Sequence, residues 1–175
     1  MGGGGDYGQV VHWSGTRWEE RRIGAERDVL AISGSSKDDV WAGTIDEELA
    51  RWDGVAWRGQ SVPPFESMVA SVESLAVLAP DDVWLASGRD LYRWDGQRWT
   101  QLTTGLRVNK VVVAKGRILA AGTKLDNVTP AASELRGNQW KPLEVGSSSI
   151  GGFSLDDRGR LWIGTDRGDV LRLDQ

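Results

Sequence analysis

The sequence predicts an all-β fold, a β-propeller of about four tandem four-stranded antiparallel blades. One observation behind this is a repeat at the spacing of about 40–45 residues that such blades have. Asp38-Asp39-Val40-Trp41 returns as Asp81-Asp82-Val83-Trp84, and the same slot holds Gly116-Arg117-Ile118-Leu119 and Gly159-Arg160-Leu161-Trp162. A second is a companion motif that follows the first two anchors, Arg51-Trp52-Asp53-Gly54-Val55-Ala56-Trp57 and Arg93-Trp94-Asp95-Gly96-Gln97-Arg98-Trp99. It recurs weakened as Glu134-Leu135-Arg136-Gly137-Asn138-Gln139-Trp140, and once ahead of the first full repeat as His12-Trp13-Ser14-Gly15-Thr16-Arg17-Trp18. The third is that the sequence between these anchors reads as short β-rich runs bounded by Gly, Asp and Ser, with no rival helical periodicity.

The elements follow in order. Residues 1–6 read as a flexible Gly-rich leader, and 7–175 as the propeller: a part-blade over 7–24, blades over about 27–62, 70–104 and 107–145, and a final part-blade over 149–175. Within each repeat the innermost strand is expected at Val29–Ser33, Leu75–Leu78, Lys110–Ala114 and Gly152–Leu155, small and apolar to suit a crowded centre. The second strand carries the Val-Trp, Ile-Leu or Leu-Trp anchor. The third ends in Arg-Trp or its substitutes, and a tight Asp-Gly turn leads to a fourth that opens with Trp.

This register places all ten tryptophans. Trp41, Trp84 and Trp162 fall on second strands, Trp13, Trp52 and Trp94 end third strands, and Trp18, Trp57, Trp99 and Trp140 open fourth strands. Because each sits in a repeat slot, we read them as fillers of the wedge between neighbouring blades. Aromatic platforms for sugars are the alternative. Strand counting leaves ring closure open. Trp18–Ile23 could complete the last blade, leaving Gln9–Trp13 redundant; otherwise the chain is part of a longer propeller, or a subunit completed by another copy.

Composition narrows the function classes. The net charge of −4 comes from mixed charges without a like-charged block, which argues against nucleic acid as a partner. There is no cysteine, so thiol catalysis and cysteine-based metal sites are excluded. No apolar run reaches the roughly 18 residues that span a bilayer, and the start lacks signal-peptide character; we expect a soluble chain without a membrane partner and assign no compartment.

The segment Asp156-Asp157-Arg158-Gly159-Arg160-Leu161-Trp162-Ile163-Gly164-Thr165-Asp166-Arg167-Gly168-Asp169-Val170-Leu171-Arg172-Leu173 resembles the repeat of two-component regulator propellers, and the blades around Trp41 and Trp84 are similar. In architecture these are akin to YWTD and WD40 propellers. The third repeat departs, with Leu119 in place of Trp. The resemblance implies a sensor-like or protein-contact domain and no particular chemistry.

Candidate binding residues come from the loop face. The longest connections, about Gly59 to Ser74 and about Lys124 to Ser133, map to one face, where loops on a rigid scaffold usually carry binding. That face collects Asp46, Glu47, Glu48, Phe65, Met68, Arg89, Leu125, Asp126, Asn127 and Arg167. Catalytic readings are weak. His12, the sole histidine, occupies the slot of Arg51 and Arg93, and the pairs Asp38-Asp39, Asp81-Asp82 and Asp156-Asp157 are expected to cap turns through backbone amides. No residue is assigned to catalysis or to a metal, and no cofactor is called for. The expected role is a non-catalytic scaffold whose loop face or open edge binds a protein partner or another copy of itself. A lectin-like propeller that takes glycans or small ligands between blades is the alternative.

Overall fold

The computed structural model describes residues 8–63, 71–146 and 149–173, and every regular element among them is a β-strand. β1 (Gln9–Trp13) and β2 (Trp18–Arg22) form a hairpin of their own. β3 (Val29–Ser36), β4 (Asp39–Thr44), β5 (Leu49–Trp52) and β6 (Trp57–Gln60) form the first four-stranded sheet. β7 (Val72–Ala79), β8 (Asp82–Ser87), β9 (Asp90–Trp94) and β10 (Trp99–Leu102) form the second, and β11 (Arg107–Ala114), β12 (Arg117–Thr123), β13 (Pro130–Arg136) and β14 (Gln139–Leu143) the third. A fourth sheet has three strands, β15 (Ile150–Leu155), β16 (Leu161–Thr165) and β17 (Val170–Leu173). All pairings are antiparallel and sequential, which is the meander of a propeller blade.

Local chemistry sets the turns. In the first sheet Asp53 Oδ1 accepts the N–H groups of Val55 and Ala56 at 3.0 and 2.8 Å, while Gly54 takes a φ of 89° that a side chain would resist. Asp95 and Gly96 repeat the device one blade on, with N–H donors from Gln97 and Arg98. The tight turn then places Trp52 opposite Trp57, and Trp94 opposite Trp99. The inner strands run longer than expected, β3 to Ser36 and β7 from Val72, because bulges let them continue through polar residues.

Alternation along each strand gives every sheet a leading face toward the next blade and a trailing face toward the one before. Trp41 leads from the first sheet into a buried cluster with Leu75, Val83 and Tyr92 of the second, with Trp94 and Trp99 packed against it. Trp84 leads from the second sheet into Val108, Val111 and Ala120 of the third, against which Ile118, Leu135 and Trp140 pack. Leu119 leads from the third sheet to Leu161 and Ile163 of the fourth, with Phe153 beside them. The hairpin β1–β2 sits on the trailing face of the first sheet through Val10, Ile23, Ala42 and Ala50.

The ends bear on the closures that the sequence left open. Strand β2 is registered with β1 from Trp18 to Arg22, and β17 with β16 alone, so Trp18–Ile23 does not complete the fourth sheet in this structure. The hairpin therefore holds the place of a third and fourth strand ahead of the first sheet, with no inner strand beside it among the described residues.

Candidate functional site

The loop face comes first. Asp46, Glu47 and Glu48 form the β4–β5 turn: Asp46 pairs with Arg27 at 2.7 Å, Glu47 has a φ of 65°, and the Glu48 N–H donates to Thr44 Oγ1 at 3.1 Å. Arg89 Nη1 donates to Asn127 Oδ1 at 2.9 Å, which ties the corresponding turns of the second and third sheets together. Leu125 is exposed beside them. Asp126 accepts from the Thr129 hydroxyl and from the N–H groups of Val128 and Thr129, and these bonds, the hydroxyl foremost, hold its carboxyl down to about 2. Arg167 lies in the exposed β16–β17 turn. Phe65 and Met68 lie outside the described residues. The face is thus a set of turns whose polar groups are largely spent on their own geometry.

The aromatic slots hold more. Asp39 and Trp41 are two apart on β4 and share a face, so the indole N–H donates to Asp39 Oδ1 at 3.2 Å. Arg51, opposite Trp41, donates to the same oxygen at 2.7 Å and lies over the ring at 5.6 Å. Asp82, Trp84 and Arg93 repeat this, with 3.0 Å from indole to carboxylate, 2.8 Å from guanidinium and 5.2 Å to the ring centroid. This corrects the turn-capping expectation for Asp39 and Asp82: both open a strand, and their carboxylates serve the indole and the arginine. Asp156 keeps the expected role, accepting the N–H groups of Arg158 and Arg160 at 2.9 Å, and also takes the Trp162 indole at 3.0 Å. That indole bond, then the Arg160 amide and guanidinium, hold the Asp156 carboxyl far below its ordinary value.

Between the hairpin and the first sheet lies an open cleft of about 280 Å³. Ile32, Val40, Trp52 and Trp57 of the first sheet form one wall, and Val10, His12 and Arg21 of the hairpin stand opposite. Lys37 and Asp38 also line it and pair with each other at 2.7 Å. Arg21 covers the Trp52 ring at 5.5 Å.

Register identifies the first wall. Ile32, Val40, Trp52 and Trp57 occupy the positions of Leu75, Val83, Trp94 and Trp99 in the second sheet, and of Val111, Ile118, Leu135 and Trp140 in the third. In those sheets the four residues cluster round Trp41 and Trp84, each 1 % exposed; Trp99 meets Trp41 edge-on at 6.3 Å. In the first sheet no such tryptophan arrives, since among the described residues no second strand pairs with the hairpin. Ile32 is 56 % exposed, against 8 % for Leu75 and 2 % for Val111. The cleft is the tryptophan socket of the repeat, left unfilled.

The fourth sheet carries the complementary surplus. Trp162 stands in the slot of Trp41 and Trp84 yet is 37 % exposed, with Arg160 and Arg172 each 5.9 Å from its ring. At the other end Trp13 and Trp18 lie against each other at 5.4 Å and are exposed on the hairpin. Sequence reasoning reached each of these tryptophans as packing residues, but not the contrast between buried and uncovered copies.

Residues 144–167 match the family model "Two component regulator propeller". The chain carries a repeat of that type. This propeller repeat spans β15, β16 and the Asp156 turn, which holds Trp162 at the open end. No curated protein matches the chain. Among solved structures, the propeller is similar to "YCF48 bound to D1 peptide", with 17 % identity, a TM-score of 0.64, 91 % of this chain covered and 54 % of that one. It is also similar to the extracellular domain of the putative one component system BT4673 from B. thetaiotaomicron, at 14 % identity and a TM-score of 0.71, covering 98 % of this chain and 26 % of the other. A third likeness is to PorZ, described as a surface component of the type-IX secretion system of Porphyromonas gingivalis, at 15 % identity and a TM-score of 0.72, with 97 % and 29 % covered. At these identities the likeness is one of fold, and the chain spans between about a quarter and about a half of each of these proteins. Among the described residues no helix is long and apolar enough to cross a membrane.

Proposed function

We propose that the chain is a non-catalytic binding scaffold, which docks a protein between its propeller blades and does not turn over a substrate. The observation that carries this is the unfilled socket: Ile32, Val40, Trp52 and Trp57 present an apolar, aromatic wall on a rigid sheet, at a place where the same wall elsewhere in the chain grips a tryptophan. Aromatic side chains in a preformed pocket are the usual anchors of protein binding, because they bury a large area at small entropic cost. One similar propeller, YCF48, is bound to D1 peptide, which adds support from the fold. Trp57→Ala should lower capture of a protein partner by the immobilised chain while leaving its melting cooperative. Capture equal to that of the parent chain would remove the cleft as the docking site.

The glycan reading has its own observation, the pair Trp52 and Trp57 with ring centroids 6.1 Å apart, together with the polar side chains of His12, Arg21, Lys37 and Asp38 around one cleft. Tryptophan-fluorescence titration across a glycan array separates the two: saturable quenching that Trp57→Ala abolishes favours the glycan, and a flat response leaves the protein scaffold.

A further inference from the structure

Resting on the scaffold reading, we infer that the partner which fills the cleft is a second copy of this chain, and that the group which enters is Trp162. The argument is one of matched halves. Two of the interior interfaces are made by a tryptophan on the leading face of one sheet and a four-residue socket on the trailing face of the next; in the third, Leu119 takes the place of the tryptophan. The fourth sheet carries such a tryptophan uncovered, and the first sheet carries such a socket unfilled. The socket is lined by residues between Val10 and Trp57 only, so the chain's own Trp162 does not occupy it. A head-to-tail contact between copies repeats an interface already present twice within the chain.

Finer register supports the same pairing. Ser33, opposite Trp41, accepts the N–H of Val77 across the first interface at 3.1 Å. Ser154 is opposite Trp162 as Ser33 is opposite Trp41, and Gly34 is opposite Val40 as Val77 is opposite Val83. When Trp162 enters the socket, Ser154 Oγ of one copy therefore meets the Gly34 N–H of the other. The interface thus has a hydrogen bond built for it as well as an aromatic knob.

Strand order says how the composite blade is made. The hairpin supplies a third and a fourth strand, and β15 with β16 supplies a first and a second, so β15-β16-β1-β2 is a complete blade drawn from two chains. Strand β17 duplicates the place of β1. The hairpin is the better held of the two, with Ile23 buried and Arg21 stacked on Trp52, whereas Val170 and Leu171 of β17 are exposed. Strand β17 gives way, and the open edge of β1 pairs with β16, which removes an unpaired strand edge. A contact of this kind is heterologous, and closes into a ring if the rotation per copy allows it.

Light scattering on the full chain over a wide concentration range tests this, with Trp162→Glu and Ile32→Glu measured beside it. Both substitutions fall at exposed positions, so each variant should keep the circular dichroism spectrum of the parent and melt cooperatively, at a lower temperature to the extent that assembly stabilises the parent. The expected result is a parent mass of two or more chains, a single-chain mass for each variant, and recovery of a two-chain species when the variants are mixed, since each retains the half that the other has lost. A parent that stays single at every concentration overturns the inference, as do variants that assemble like the parent and a mixture that stays single. If the parent is single and Trp57→Ala still lowers capture of another protein, the second copy is wrong and the scaffold reading stands; if capture is also unchanged, both fall.

Discussion

Arg117 and Glu134 stand in the third sheet where Asp39 and Arg51 stand in the first, and they form the same ion pair with its charges exchanged. Arg117 Nε donates to Glu134 Oε1 at 2.5 Å, and Arg136 Nη2 reaches the other carboxylate oxygen at 2.8 Å. The exchange accompanies the one interior slot that lacks tryptophan: with Leu119 between them there is no indole N–H to seek a carboxylate at position 117, nor a ring to seek a cation at position 134. Arg117 Nη1 is freed to reach the Gly159 carbonyl of the fourth sheet, where Lys115 also bonds the Asp157 carbonyl. The pair thus clamps the third sheet to the fourth.

Removing Glu134 leaves the part-buried Arg117 guanidinium without its carboxylate and takes the same carboxylate from Arg136. Burial alone would raise the Glu134 carboxyl, but Arg117 and Arg136 outweigh it and hold it low. Glu134→Ala should cost about 1–3 kcal/mol in urea unfolding. The double variant Arg117→Asp, Glu134→Arg should recover part of that loss, and a double variant worse than both singles would show that the orientation of the pair matters more than its presence.

Trp84 is enclosed by the second and third sheets, so Trp84→Ala should destabilise by ~3–5 kcal/mol. Trp162→Ala, measured where the chain is single, should cost clearly less, because the slot is uncovered. Equal losses at the two positions would mean that Trp162 is buried in solution.

Gly122 lies against the neighbouring strand so closely that a Cβ there would stand 1.9 Å from the Arg107 carbonyl oxygen. Gly122→Ala must therefore push β11 and β12 apart, at a cost of about 1–3 kcal/mol. Gly59→Ala, with open space at the same atom, should be tolerated far better. Similar melting temperatures for the two would refute the close approach.

The Asp156 carboxyl has a folded pKa depressed below its ordinary value of 3.8, chiefly by the Trp162 indole. Its contribution to stability is therefore full above the unfolded value and is lost as pH falls through the folded one. Acid titration should show the parent chain losing stability below about pH 3.8, and Asp156→Asn should flatten that limb while shifting the environment of Trp162. An unchanged acid limb would mean that the Asp156 bonds do not persist in solution.

Much of the fold was legible because the repeat is written in large residues. Trp41, Trp84, Trp52 and Trp94 each fell on the strand expected of them, and Trp140 lies one residue inside β14. The inner strands were read too short, since Ser35 and Ser36 look like a turn until the bulge that carries them is seen. The pairing of Asp39 with Trp41 was available in the sequence, as an acid and an indole two apart on one strand followed by an arginine in the companion motif. The cleft was not. Its walls are ordinary repeat residues, and what sets it apart is that no inner strand among the described residues lies beside β1, a property of topology that no local spacing records.

The most direct test of the account is hydrogen exchange on β1, from Val10 to Trp13, followed as the concentration of the chain is raised. These amides lie on a strand with one partner, β2, and line or flank the socket. If β1 pairs with β16 of another copy, amides on its outer edge slow with concentration, together with those of Ile32 and Val40, and Trp162→Glu removes the effect. Exchange that is independent of concentration along β1 would contradict the claim that the open socket is where the protein binds.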